Sequence, residues 1–317
     1  MNLQTKIPLQ PRQPKIDYNA EIMLLGSCFA DSIGEKFEYY KFRNRINPFG
    51  VLFHPKAIET FLWMATQGEQ YTDTDLFYIN EQWHCFDAHS SLSNSSKDIT
   101  LSNLNEALKS TQETIKSATH IFITLGTAWV YRLKALDMIV ANCHKIPQRD
   151  FDKELLSVEE INQCLQNCIH LIHSLNPLAE IIFTVSPVRH SKDGFVENNR
   201  SKSHLITSIH QVIAQNKGLS YFPSYEIMMD ELRDYRFYDV DMIHPSSVAV
   251  QYIWERLLGV WVSEETSKTM SRVEEVEKGM SHRPFNPKSE QYQLFLKKIE
   301  LKKYQLQQEH PHIVWAK

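Results

Sequence analysis

Along the chain, short continuous apolar runs alternate with longer stretches in which apolar residues recur every three to four positions. Ile22-Met23-Leu24-Leu25, His120-Ile121-Phe122-Ile123-Thr124-Leu125 and Ile181-Ile182-Phe183-Thr184-Val185 are runs of the first kind. Rich in branched aliphatic residues and closed by Gly or Ser, they read as strands buried on both faces. Leu219-Ser220-Tyr221-Phe222 is a shorter one. Between them the helical period predicts helices at about 29–41, 56–66, 101–117, 157–175, 198–215 and from Pro245-Ser246 to about 262. Ile33, Phe37 and Tyr40 share one face of the first, and Ile161, Leu165, Cys168 and Ile172 one face of the fourth. Residues 46–55 are apolar but broken by Pro48, Gly50 and Pro55, which suggests a loop with a short strand. Strand–helix alternation of this kind implies an α/β domain: a parallel central sheet with helices on both faces.

Some segments stand outside that alternation. Residues 1–20 read as an extended arm. Residues 67–100 contain the aromatic, partly alternating run Phe77–Asp87 and then a Ser-rich loop, the pattern of a hairpin inserted on the sheet. Trp129 to Val140 reads as a second small hairpin. From 263 the chain is charged and ends in a Lys- and Gln-rich helical stretch at about 287–308. The expected organisation is an α/β domain over 1–262, with its insertion at about 67–100, and a C-terminal helical appendage over 263–317.

Composition narrows the function classes. In 317 residues with 42% hydrophobic content and a formal net charge of −4, nothing pulls the chain toward nucleic acid or an anionic membrane. No run of about 18 apolar residues marks a membrane span, and the polar N-terminus lacks the apolar core of a signal peptide, so a cytoplasmic protein is expected. Five cysteines, Cys28, Cys85, Cys143, Cys164 and Cys168, do not form a disulfide framework. Cys164 and Cys168 lie a turn apart with His170 and His173 after them, but His170 is off their face and the surroundings are core-like. Neither this group nor Asp239, Asp241, His190 and His244 is read as a metal site, and no cofactor is expected.

The candidate chemistry gathers at strand exits, where ligands bind in such sheets. The first exit, Gly26-Ser27, runs straight into a helix. A serine there is either an N-cap or a hydroxyl held beside unpaired helix N–H groups that can stabilise negative charge. The other exits carry Asn47 with Gly50, Thr127 after Gly126, and Ser186 with His190. Late in the chain comes Asp241-Met242-Ile243-His244-Pro245. Three residues apart, the carboxylate can hold the Nδ1–H of the histidine and leave Nε2 as a base; alternatively the two are unconnected loop residues. Cys28 is a second nucleophile candidate or a small buried residue. His84 and His89 lie in the insertion, as part of a lid or as ordinary loop histidines, and His54 before Pro55 reads as structural. Arg233 and Arg236 lie among acids in a local ion network, and Trp83, Phe86 and Trp129 read as packing residues that could also stack on a sugar.

Gly26-Ser27-Cys28-Phe29-Ala30, with Asn47-Pro48-Phe49-Gly50, Leu125-Gly126-Thr127-Ala128-Trp129, Ser186-Pro187-Val188-Arg189-His190 and Asp241-Met242-Ile243-His244-Pro245, resembles the blocks of the GSCFA family. That family is similar to the SGNH, or GDSL-like, esterases and acyltransferases, and the resemblance covers roughly residues 20–262. It implies a three-layer α/β/α sandwich with Ser27 as nucleophile, His244 as base and Asp241 as orienting acid. It also implies oxyanion donors from the N–H groups of Ser27 and Gly50. The superfamily's Gly-x-Asn is replaced here by Gly126-Thr127-Ala128, so Thr127 or Asn47 would have to stand in for the asparagine. His190 is placed at the pocket. The implied substrate is a short-acyl ester, an acetylated carbohydrate first among them. A transferase with the same residues, or a binding module with an incomplete oxyanion hole, remains open. The partners expected are therefore a small-molecule or glycan ester, with neither nucleic acid nor membrane; the oligomeric state is left open.

Overall fold

The computed structural model describes residues 4–315. In chain order the main elements are β1 (Glu21–Gly26), α1 (Cys28–Tyr39), β2 (Arg43–Ile46), α2 (Pro55–Gln67), β3 (Leu76–Ile79), β4 (Gln82–Cys85) and α3 (Lys97–Ser117). There follow β5 (His120–Leu125), β6 (Trp129–Leu133), β7 (Met138–Val140), β8 (Phe151–Leu155), α4 (Val158–Leu175), β9 (Glu180–Val185) and α5 (Phe195–Gln215). The chain closes with β10 (Leu219–Phe222), the single turn α6 (Ser224–Glu226), α7 (Ser247–Trp261), α8 (Glu264–Ser281) and α9 (Glu290–Glu309).

Five strands form the central sheet in the order β10-β9-β5-β1-β2, and every pairing is parallel. Alternate residues of each strand point to opposite faces, and the core divides accordingly. Met23, Leu25, Ile121, Ile123, Ile181 and Phe183 pack with α2, α3, α4 and α5. Ile22, Leu24, Phe122 and Ile182 pack on the other face with α1 and α7, together with Met270, Val273 and Val276 of α8 and Ile299 and Leu306 of α9. This is the three-layer sandwich with a parallel sheet. The apolar runs are continuous because both sides of each strand are covered.

The insertion is a separate antiparallel hairpin, β3–β4. The segment from Trp129 is more than a hairpin: β6 pairs with β7 and also with β8, making a three-stranded sheet. Phe151-Asp152-Lys153-Glu154-Leu155 was not legible as a strand because its middle is charged and exposed. The short strand expected within 46–55 lies just before it, at Arg43–Ile46, and residues 47–54 are loop. Its alternation of Arg and Asn with Ile hid it, as suits an edge strand. In the tail, α8 precedes the expected last helix; its inward stripe is only Met270, Val273 and Val276 among charged residues. Among the described residues no helix is long and apolar enough to cross a membrane.

Candidate active site

The strand order reverses its winding between β1 and β5, the place where ligands settle in open α/β sheets. β1 ends there at Gly26, which has φ +125°, and a Cβ on it would lie 2.0 Å from the Thr124 carbonyl oxygen. Only glycine lets the chain turn this close to the neighbouring strand. The next residue, Ser27, is 1% exposed, and its Cβ sits 3.3 Å from where a Cβ on Gly126 would be. The turn therefore delivers Ser27 to the crevice between the two strand exits. Its hydroxyl also caps α1, accepting the Phe29 N–H at 3.3 Å. The cap read from the sequence is thus present.

Asp241 and His244 form a closed unit. Asp241 Oδ2 lies 2.6 Å from His244 Nδ1, and Oδ1 accepts the N–H groups of Ile243 (2.8 Å) and His244 (3.0 Å). The loop is tied by Asp239 N–H to the His244 carbonyl (2.8 Å) and by the bridge between Tyr238 and Pro245. Met242, at φ +58°, makes the bend. The His244 ring and these two backbone N–H groups pull the Asp241 carboxyl down to about 2. A charged acceptor at Nδ1 leaves Nε2 as the ring's basic atom. Both side chains are nearly half exposed. Among the described residues, Ser27 Oγ has one hydrogen bond, to Phe29 N–H, and His244 Nε2 has none, so no hydrogen bond joins the two.

His190 follows β9. Its N–H donates to Asn198 Oδ1 at 2.9 Å and its ring meets Phe53 edge to face at 6.0 Å. Nε2 is buried without a hydrogen-bond partner among the described residues. Burial, with smaller contributions from Lys202 and His244, pushes its pKa down to about 3, so the ring is neutral. Those two contributions also show that His190, Lys202 and His244 share one neighbourhood.

Lys202 was missed from the sequence. It projects from α5, 1% exposed, and its Nζ donates to the carbonyls of Gly126 (2.7 Å) and Ser186 (2.8 Å), just beyond the ends of β5 and β9. Burial lowers its pKa to about 7, because two neutral carbonyls do not replace water around an ammonium. The signal was there: Lys202 falls on the helix face of Asn198, Leu205 and Ile209, where a lysine has no reason to be exposed.

The oxyanion donors inferred from the resemblance are already bonded within the protein. Ser27 N–H donates to Thr124 O (3.0 Å), Gly50 N–H to Asn47 O (2.7 Å) and Thr127 N–H to Phe53 O (3.0 Å). The Thr127 hydroxyl joins Ser201 Oγ at 3.0 Å and accepts the Trp129 N–H. Asn47 accepts the Gly26 N–H at Oδ1 and donates to Asp31 through Nδ2. These groups hold the strand exits together. Gly50 has a further reason to be glycine, since a Cβ there would lie 2.3 Å from the His89 Cβ.

Most of the remaining candidates have structural partners. Burial, with Asp31 adding to it, raises the Cys28 pKa despite the opposing charge of Lys202, which disfavours the thiolate. His54 caps α2 through Nδ1, and its Nε2 bonds Val140 O. His84 bonds Ser93 and packs against His144, while His89 caps the turn at Ser90–Leu92. Arg236 pairs with Asp234, whereas Arg233 forms no ion pair among the described residues. Trp83 lies under Lys97, Phe86 stacks on Phe77 and Trp129 lies under Lys153. Cys164 and Cys168 are buried in the core face of α4.

No curated protein matches the chain. Among solved structures the fold is similar to a Clostridium thermocellum family 3 carbohydrate esterase, at 11% identity and a TM-score of 0.36, over 80% of this chain and 97% of that one. A model of the GSCFA domain protein C-terminal domain matches residues 273–317, covering the second half of α8 and all of α9. With the GSCFA family model matching residues 21–257, from the first residue of β1 into α7, the chain belongs to the GSCFA family.

Proposed function

We propose that this protein is a serine esterase or acyltransferase that works through an acyl-Ser27 intermediate. The observation that carries the reading is the Asp241–His244 pair, whose 2.6 Å contact leaves Nε2 unpartnered among the described residues. It is supported by Ser27 lying at the switch point of a parallel sheet. In this reading Ser27 Oγ attacks the ester carbonyl as His244 Nε2 takes its proton. The carbon–oxygen bond to the alcohol then breaks, and His244 returns the proton to the departing alkoxide. Water, or an acceptor hydroxyl in a transferase, repeats the sequence in reverse and frees Ser27. The His244 loop must close on Ser27 when substrate binds; such contacts are often long until the site is occupied.

The oxyanion needs donors other than those the resemblance suggested. Two groups suit the role. The N–H of Cys28, the first residue of α1, has no carbonyl partner within its helix, and the residue after the nucleophile supplies this donor in other serine hydrolases. The neutral His190 can donate from its unpartnered Nε2. Short-acyl esters, acetylated carbohydrates first, are the substrate class that the SGNH resemblance suggests.

One observation favours a second reading, a ligand-binding module without turnover: the expected Ser27, Gly50 and Thr127 donors are all engaged. Fluorophosphonate labelling with peptide mapping separates the two. A label on Ser27, lost with p-nitrophenyl acetate turnover in Ser27→Ala, is expected of the esterase. Folded wild-type protein that takes no label supports the binding module, and a label surviving Ser27→Ala but lost in Cys28→Ala overturns the nucleophile.

A further inference from the structure

Arg189, one residue before His190, lines a cleft of about 290 Å³. Arg189 and Ile243, each one residue before His190 and His244, are joined by Arg189 N–H to Ile243 O at 3.0 Å. The cleft is thus anchored to the same two segments that carry the candidate chemistry. Arg189 is ringed by aromatic side chains. Its guanidinium lies 5.0 Å from the ring of Phe195, 5.2 Å from Tyr238 and 5.8 Å from Tyr235. Phe195 and Tyr235 are 64% and 67% exposed.

The charge balance of the cleft is one-sided. Arg189 and Arg233 both line it, and among the described residues neither forms an ion pair. The one carboxylate in the lining, Asp234, is held by Arg236 at 2.9 Å. A chain of net charge −4 therefore keeps a locally positive, aromatic-walled hollow beside His190 and His244. Arg189 bonds the Tyr238 side chain but has no carboxylate partner among the described residues, and such a guanidinium offers a forked set of donors suited to carboxylate or phosphate, while exposed rings suit the flat face of an aryl group or sugar.

We propose that this cleft binds an anionic, ring-bearing ligand, with its carboxylate or phosphate on Arg189 and its ring between Phe195 and Tyr235. Resting on the esterase reading for its meaning, the cleft selects substrates whose alcohol part is an acidic ring compound.

Binding and turnover test this separately. By NMR titration of the wild-type protein, benzoate or phenyl phosphate is expected to bind about tenfold more tightly than neutral benzamide, the scale of one charge-assisted contact. The stronger of the two identifies the anion. Arg189→Gln should abolish the preference, Arg189→Lys should restore part of it, and the exposed Lys268→Gln on α8 should leave it intact. Should Arg189→Gln not fold, the wild-type preference must instead decline steeply as salt is raised. Equal binding of the three compounds, or a preference that survives Arg189→Gln or is insensitive to salt, overturns the proposal. In turnover, 4-acetoxybenzoate is expected to exceed its methyl ester in kcat/KM by a similar factor. Turnover of both without preference overturns the cleft but leaves the esterase standing. Selective anion binding with no turnover and no label on Ser27 supports the cleft and removes the esterase.

Discussion

Asp241 Oδ2 lies 2.6 Å from His244 Nδ1, while the other oxygen of the same carboxylate accepts the His244 backbone N–H at 3.0 Å. One acid thus holds both the ring and the backbone of its partner, and the ring orientation is set by the loop. Asp241→Asn keeps the shape but removes the charge, and its amide can favour the wrong tautomer. We expect kcat/KM on p-nitrophenyl acetate to fall by about 10²–10⁴, with fluorophosphonate labelling of Ser27 slowed in parallel. Labelling at the wild-type rate would remove Asp241 from the mechanism.

Lys202 makes stability depend on alkaline pH. Its folded pKa is about 7 against 10.5 for a free lysine, so between these values the unfolded chain binds a proton that the folded chain does not. Stability from this group therefore rises as pH increases from 7 to 10.5 and is flat below. Chemical denaturation of wild type and Lys202→Met should show the wild type gaining on the variant across that window. Parallel curves would mean that Lys202 keeps its proton when buried.

His54 acts at the acid end. With Nδ1 capping α2 and Nε2 on Val140 O, the ring has no room for a second proton, and burial lowers its pKa to about 4 from 6.5. The unfolded chain takes up the proton first, so stability is lost as pH falls from 6.5 to 4. The span corresponds to on the order of 3 kcal/mol. His54→Asn, which can still cap the helix, should lose less stability over the same interval in urea titrations.

Two glycines should respond in opposite directions. Gly26→Ala meets a carbonyl oxygen at 2.0 Å in a positive-φ conformation, and no soluble folded protein is expected. Gly259→Ala in α7 meets nothing within 4 Å and should raise stability by about 0.5–1 kcal/mol. Thermal unfolding of the second variant and expression of the first check the pair.

The central sheet was legible because its strands are short unbroken apolar runs and its helices carry a 3.6-residue stripe. Both signals are local. The elements that were not anticipated, β2, β8 and α8, are those whose outward faces are charged, so the apolar half of each pattern is only one to three residues. The Asp241–His244 contact was one of two readings that the spacing left open, and it forms because both residues lie on one four-residue turn. The burial of Lys202 could be read from its helix face but its partners could not, since Gly126 and Ser186 are 76 and 16 residues away in sequence.

By itself the sequence determined the parallel α/β scaffold, the turn at Gly26-Ser27 and the family, since each depends on neighbours within a few residues. Only the tertiary structure decided what each polar group at the strand exits does. A backbone N–H at such an exit can face a ligand or the protein itself, and packing chose the neighbouring strand for Ser27 and the 47–54 loop for Thr127. The same packing left His190 Nε2 unpartnered, brought a lysine beneath the crevice and surrounded Arg189 with rings. Those outcomes depend on which distant segments meet, and that is decided by the closing of the two helical layers over the sheet.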